Sequence, residues 1–494
     1  MARPEAQPGA RAALVSAALA AALCSVPASA DEPSPSALKK GIERVLERPG
    51  FASATWGIEV RSLRTGKVLY AHDAGKNLRP ASALKLVTTA AALDALGPEA
   101  RIQTTLESVA RLDTGGRLLG DLYLVGRGDP NLSGRFHRGR ATAPFEEMAD
   151  ALAAAGIRRV EGRLVGHEGL FQGERRGEDW SWGDLVWWYG AEVSALSFND
   201  NCADLDVAPG DRAGDPLVVE RQPWSRYYSV VSTATTGPAG SAGDLTLRRP
   251  AGSNVIHLSE TVPLGAPPRR LSVALEDPAL YAATVFAEVL ETRGIRVVGG
   301  VATSSAPLPA GTRVLASRLG EPLSEMLEVV NKESQNLHAE MLLRLLGARV
   351  EGEGSVEGGR EAVQRFLLRL GLAPENWGLH DGSGLSRTDI LSPHDLVSLL
   401  VAMDRHPHAS SFLASLPVSG LDGTLARRMR GSPAAGRIVA KTGTLRYANA
   451  LAGYATTIEG GDRLAFAVVV NNHTVPSAEA VGAIDEICRL LVSR

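Results

Sequence analysis

The 494 residues are 44% hydrophobic and 22% charged, an ordinary globular composition with enough apolar material for large cores. A formal net charge of −3 supplies no global basic field for nucleic acid. No internal apolar run is long enough to span a bilayer, and three cysteines make neither a disulfide-stapled nor a metal-ligating framework.

Residues 1–30 read as a signal peptide. Arg3 and Arg11 give a positive start, Ala12 to Leu23 forms a short apolar region, and Pro27-Ala28-Ser29-Ala30 supplies a small-residue cleavage site after Ala30. The expected mature protein is exported, periplasmic or otherwise extracytoplasmic, with no membrane span. Leu38, Ile42, Val45 and Leu46 predict a helix over 37–47, stopped by Pro49-Gly50. Strands are expected over 55–62 and 67–71, and a strong helix over 82–96 closed by Gly97-Pro98. From about 101 to 270 the texture changes to short strand-like runs, among them 117–125 and 162–165, with glycine turns. From Leu271 helices return, over 279–292, 334–346 and 358–370, with a strand at 295–298. Strands are expected next at 437–441, 448–457 and 464–471, and a last helix over 477–492. The pattern predicts a helix–sheet domain split in sequence (31–100 and 271–494) around a β-rich insert (101–270). Cys202 and Cys488 are far apart in sequence and read as unpaired buried thiols.

Ser82-Ala83-Leu84-Lys85 is an S-x-x-K tetrad. On a helix its two ends share a face. A serine hydroxyl is a poor nucleophile until a neighbour takes its proton, and a desolvated lysine can do so. Free backbone N–H groups at a helix start favour a developing oxyanion. Ser36-Ala37-Leu38-Lys39 is the identical tetrapeptide. It opens a charged helix and is expected on the surface, whereas Ser82 opens the apolar run Leu86 to Leu93. Ser334-Gln335-Asn336 is an S-x-N triplet, alone no more than an N-cap. Lys441-Thr442-Gly443-Thr444 alone would be a turn with a glycine for the bend.

Together, in this chain order, the three motifs resemble those of penicillin-recognising serine acyl enzymes. The segments 79–85, 331–340, 380–386, 420–425 and 440–444 are similar to those of the large D-alanyl-D-alanine carboxypeptidases, the penicillin-binding protein 4-like type of peptidase family S13. The similarity runs from about residue 40 to the end, and Gln335 stands where many relatives have aspartate. The resemblance implies an α/β fold: a serine β-lactamase/penicillin-binding transpeptidase-like domain, an antiparallel sheet flanked by helices, with β-rich inserted domains. It implies catalytic Ser82, Lys85 and Ser334, with Asn336, Lys441, Thr442, Gly443 and Thr444 binding substrate. Lys85 takes the Ser82 proton, Ser334 relays it to the leaving nitrogen, and the backbone N–H groups of Ser82 and Thr444 form the oxyanion hole. The expected partners are peptidoglycan stem peptides ending in D-Ala-D-Ala, and β-lactams as covalent inhibitors; no metal or organic cofactor is needed. Endopeptidase action on a D-Ala–diaminopimelate cross-link is expected too. The competing readings are a β-lactamase and a non-catalytic wall-sensing protein. Trp180, Trp182, Trp187, Trp188 and Tyr189 are expected to pack a core in preference to walling a glycan site. Gly126-Arg127-Gly128-Asp129-Pro130 is read as a structural turn. His406-Pro407-His408 is a poor metal site, and Lys332 is expected either near the cleft or on the surface.

Overall fold

The structure, a computed structural model, describes residues 35–373 and 376–493. The expected signal peptide and cleavage site fall outside the described residues. Ten α-helices occur among those described: α1 (Pro35–Leu46), α2 (Lys85–Leu96), α3 (Ala143–Ala154), α4 (Pro278–Thr292), α5 (Leu323–Lys332), α6 (Asn336–Leu346), α7 (Val356–Arg369), α8 (Pro393–Asp404), α9 (Ala409–Ser415) and α10 (Ser477–Val492). Among the described residues no helix is long and apolar enough to cross a membrane.

A five-stranded antiparallel sheet joins the two ends of the chain. Its order is Ile438–Leu445, Ala448–Thr456, Arg463–Asn471, Thr55–Ser62, Val68–His72. Ile58 sits opposite Val468 in the pairing that closes the split domain. Successive strand side chains point to opposite faces, and here both faces are buried. Leu464, Phe466, Val468 and Val470 face one cluster with α1 and α10. Ala465, Ala467 and Val469 face the other, built on α2 and α5 to α8. In α1, Leu38, Ile42 and Val45 pack against Ile484, Ile487 and Leu491 of α10. Each such buried side chain stabilises by roughly 1.5–3 kcal/mol.

A second core lies in the insert. Its main sheet runs Val301–Ser304, Leu164–His167, Leu122–Val125, Arg101–Ser108, Arg313–Pro322, and α3 and α4 cover it. Smaller sheets extend it, including Arg269–Ala274, Cys202–Ala208 and Val218–Gln222. Side chains from Leu106 to Ala316 share this core, while Leu323 already belongs to the first. By packing, then, the second core takes in residues as late as Ala316, and Leu323 packs in the first. The texture changes at 271 because the insert's own sheet acquires a covering helix, α4. Cys202 and Cys488 are buried in different clusters and form no disulfide.

Candidate active site

Ser82 does not lie on the α-helix that its sequence opens. Ala81–Leu84 forms a 3-10 turn, and α2 begins at Lys85. Ala81 before it holds a left-handed φ of 48°, a conformation costly for a residue with a side chain. The turn presses against the strand Ile438–Leu445. A side chain at Gly443 would run into the Pro80 carbonyl oxygen and stand 3.2 Å from the Ala83 nitrogen. The K-T-G glycine therefore makes a close approach within a strand, where a turn was the alternative reading.

Lys85 is fully buried, and three acceptors surround its Nζ. Ser82 Oγ lies at 3.0 Å, Asn336 Oδ1 at 2.6 Å and the Ser383 carbonyl at 2.7 Å. Burial pushes the Lys85 ammonium down to about 7, against the opposing pull of Asp381, Glu340 and Asp389. A neutral amine has two N–H donors and one lone pair. If the two N–H groups serve Asn336 and Ser383, the lone pair is left facing the Ser82 hydroxyl.

Ser334 stands just before α6 with a left-handed φ of 60°. It is not the cap of that helix. Gln335 occupies the N-cap, accepting from the Leu337 N–H at 3.0 Å, and its Nε2 donates to Asp200 at 2.8 Å. Ser334 Oγ instead accepts from Lys441 Nζ at 2.8 Å, which also donates to the Thr442 carbonyl at 2.9 Å. Lys441 is fully buried, and burial, then the neighbouring Lys85, lowers its pKa well below the usual lysine value. Asn336 Nδ2 donates to the Tyr189 carbonyl of the insert at 2.8 Å. Thr442 Oγ1 meets Thr424 Oγ1 at 2.9 Å, and Thr444 Oγ1 accepts from Asn449 Nδ2 at 3.1 Å. Ser82, Ser334 and Thr442 are half-buried and Thr444 is exposed, so two buried amines sit beneath a rim of hydroxyls.

All eight residues singled out from the sequence thus lie on elements that meet at one place: the turn before α2, the start of α6 and the strand Ile438–Leu445. The decoy Ser36 lies in α1, which packs on α10 at the other face of the sheet, and Lys39 there is exposed and pairs with Glu43 at 3.7 Å. Lys332 pairs with Asp422 at 3.0 Å and Glu328 at 3.2 Å, beside the Thr424 segment. Asp129 of the Gly-Arg-Gly-Asp-Pro turn is buried and accepts from the Asn131 N–H at 2.9 Å, a structural role. The aromatic cluster meets the core expectation in part: Trp180 packs on Val193, Leu337 and Met341, and Trp188 on Ala191, Cys202 and Ala274. Trp182 is 80% exposed, and Trp180, Trp187, Trp188 and Tyr189 are only half-buried. Sequence reasoning missed the carbonyls of Ser383 and Tyr189 as partners. The stretch 380–386 stands out by its similarity to the family, but a backbone acceptor leaves no mark of residue type.

A model of the D-Ala-D-Ala carboxypeptidase 3 (S13) family matches residues 38–491. The chain is 37% identical over 456 residues to a D-alanyl-D-alanine carboxypeptidase of Actinomadura sp. strain R39, covering 90% of this chain and 82% of that one. It is 27% identical over 433 residues to the D-alanyl-D-alanine carboxypeptidase DacB of Haemophilus influenzae, covering 86% and 87%. The crystal structure of penicillin binding protein 4 from Haemophilus influenzae superposes with a TM-score of 0.79 at 24% identity, covering 91% of this chain and 98% of that one. A second crystal structure of that protein, complexed with a β-lactam, gives a TM-score of 0.75 at 22% identity, covering 92% and 100%. The shared architecture is a penicillin-binding transpeptidase-like α/β domain carrying inserted β-rich material.

Proposed function

Because the chain belongs to the D-Ala-D-Ala carboxypeptidase 3 (S13) family, we propose that its serine peptidase activity runs through Ser82 as nucleophile and Lys85 as general base. The enzyme is a D-Ala-D-Ala carboxypeptidase acting on peptidoglycan stem peptides. Ser82 Oγ attacks the carbonyl of the penultimate D-alanine while its proton passes to the Lys85 amine. The backbone N–H groups of Ser82 and Thr444 receive the oxyanion. The protonated Lys85 then gives that proton back, Ser334 relays it to the leaving nitrogen and keeps its own hydroxyl, and D-alanine departs with Lys85 neutral again. Water then hydrolyses the acyl-enzyme ester.

Lys441, Thr442 and Thr444 take the terminal carboxylate, and the strand Ile438–Leu445 offers its edge to the extended substrate. The arriving carboxylate favours the charged form of Lys441. A charged Lys441 in turn holds Lys85 neutral, so substrate binding prepares the base. A D-Ala–diaminopimelate cross-link also carries a carboxylate beside its scissile amide, which extends the same clamp to endopeptidase action. β-Lactams present a carboxylate and a strained amide and acylate Ser82. The expected site of action is extracytoplasmic, after removal of residues 1–30.

The observation that carries this reading is a fully buried Lys85 whose Nζ lies 3.0 Å from Ser82 Oγ with its other two partners fixed. Digestion of purified cross-linked muropeptides, with products identified by mass spectrometry, tests it. The wild type is expected to release D-alanine and to convert dimers to monomers, and Ser82→Ala to do neither. Steady nitrocefin turnover outpacing D-alanine release would move the assignment to a β-lactamase.

A further inference from the structure

Lys85 is held by something that the three motifs do not contain. Its third acceptor is the backbone carbonyl of Ser383, in a loop that belongs to neither the nucleophile turn nor the Lys-Thr-Gly strand. Three buried carboxylates hold that loop: Glu340 Oε1 accepts from the Gly382 N–H at 3.0 Å, Asp389 Oδ1 from the His380 N–H at 2.7 Å, and Asp381 takes the largest share. Asp381 Oδ1 accepts from the N–H groups of Ser383 at 3.0 Å and Gly384 at 2.6 Å, and Oδ2 from the N–H of Ser386 at 2.7 Å. The same Oδ2 accepts from the indole Nε1 of Trp180 in the insert at 2.9 Å. Trp180 also packs on Leu337 and Met341 of α6. The loop is pressed onto the nucleophile turn. A side chain at Gly384 would collide with the Ala81 carbonyl, and the Gly382 carbonyl accepts from Thr88 Oγ1 of α2 at 2.7 Å.

We infer that Asp381 is a positioning residue for the general base, acting through the Ser383 carbonyl, and that Trp180 couples this function to the inserted domain. The carboxylate fixes the loop, the loop fixes the carbonyl, and the carbonyl fixes one N–H of the neutral Lys85 amine. With Asn336 fixing the other, the lone pair has one direction left, toward Ser82. The indole adds a fourth donor to the carboxylate, so Trp180 of the insert and the base are tied to the same loop. This inference rests on Lys85 acting as the base of Ser82.

The groups facing Lys85 are Asp381, Glu340, Asp389 and Lys441. Asp389 lies beside Asp381, and burial followed by that neighbour holds its carboxyl well above the usual carboxylate range. Loss of the Asp381 charge would therefore allow Asp389 to ionise in its place. The test accordingly uses Asp389→Asn as background, which fixes that neighbour neutral.

The experiment measures the second-order rate of acylation by fluorescent penicillin from pH 5 to 9. Asp389→Asn alone is expected to keep the wild-type acid limb. Adding Asp381→Asn is expected to lower the plateau about 100-fold, as misplacement of a catalytic group does. It is also expected to move the acid limb down by about one pH unit, because a favourable negative charge beside the ammonium is lost. Trp180→Phe, which removes the indole N–H and shrinks the bicyclic ring to a phenyl, is expected to lower the plateau about threefold to tenfold in a protein that still folds. A double variant that folds and retains both the wild-type plateau and the wild-type limb would overturn the inference. So would a Trp180→Phe rate equal to wild type. Labelling that survives Ser82→Ala would instead overturn the underlying assignment of the nucleophile.

Discussion

Acidification is the sharpest perturbation of this site. At its ordinary value of 10.5 a lysine is neutral at pH 7 in only about 0.03% of molecules; with Lys85 brought down to about 7, about half are neutral. Burial therefore supplies about three orders of magnitude more competent base, equivalent to about 4 kcal/mol. Below pH 7 that advantage is lost tenfold per unit, so acylation at pH 5 is expected near 1% of its plateau. The assay is the acylation rate with a neutral-pH-stable fluorescent penicillin, read in stopped flow. Glu340, pushed up to about 7 by burial and then by Asp381, titrates in the same range. Glu340→Gln is expected to keep an acid limb, which assigns the limb to Lys85, and Lys85→Arg is expected to abolish acylation because a guanidinium cannot release its proton.

The same shift appears in stability. Between pH 7 and 10.5 the unfolded chain holds a proton on Lys85 that the folded chain has released, so this group's contribution to stability rises with pH across that window. The difference in unfolding free energy between wild type and Lys85→Met is expected to change by about 1.4 kcal/mol per pH unit there. A rate constant flat from pH 5 to 8, or a limb centred near 10, would refute the argument that desolvation tunes this lysine.

The geometry around Lys85 sets other outcomes. Ser334→Ala removes the hydroxyl bound by Lys441 and is expected to lower D-alanine release by about 10²–10⁴-fold, measured on a pentapeptide substrate. Gly443→Ala places a methyl against the Pro80 carbonyl and is expected to cost about 1–3 kcal/mol in denaturant unfolding and to slow acylation. Thr424→Val breaks the hydroxyl pair with Thr442 and is expected to raise KM more than it lowers kcat, if Thr442 takes the carboxylate. Ser36→Ala is expected to leave labelling and D-alanine release unchanged.

Much of this is legible in the chain because periodicity and residue type carry it. The helix over 477–492 falls on α10, the strands over 448–457 and 464–471 fall within one residue of Ala448–Thr456 and Arg463–Asn471, and the strand over 437–441 runs on to Leu445. The identical SALK tetrapeptides are told apart by their C-terminal neighbours, charged residues after Ser36 and apolar ones after Ser82. Three features are not legible. The 3-10 turn at Ala81–Leu84 is set by contact with Gly443 and Gly384, residues remote in sequence. Helix α3 is hidden inside a stretch dominated by short strands. The backbone carbonyls of Ser383 and Tyr189 act through position, not identity, and only folding brings them to Lys85 and Asn336. The tryptophan cluster is legible only in part: Trp180 and Trp188 pack on buried residues while Trp182 is exposed, and residue type does not separate the two.

The central claim is that one hydroxyl, Ser82 Oγ, becomes covalently acylated. Incubation with benzylpenicillin, followed by intact-mass measurement and peptide mapping, tests this directly. A single penicilloyl adduct is expected on the peptide containing Ser82, and none in Ser82→Ala. An adduct mapped to Ser36 or Ser334, or one retained by Ser82→Ala, would contradict it.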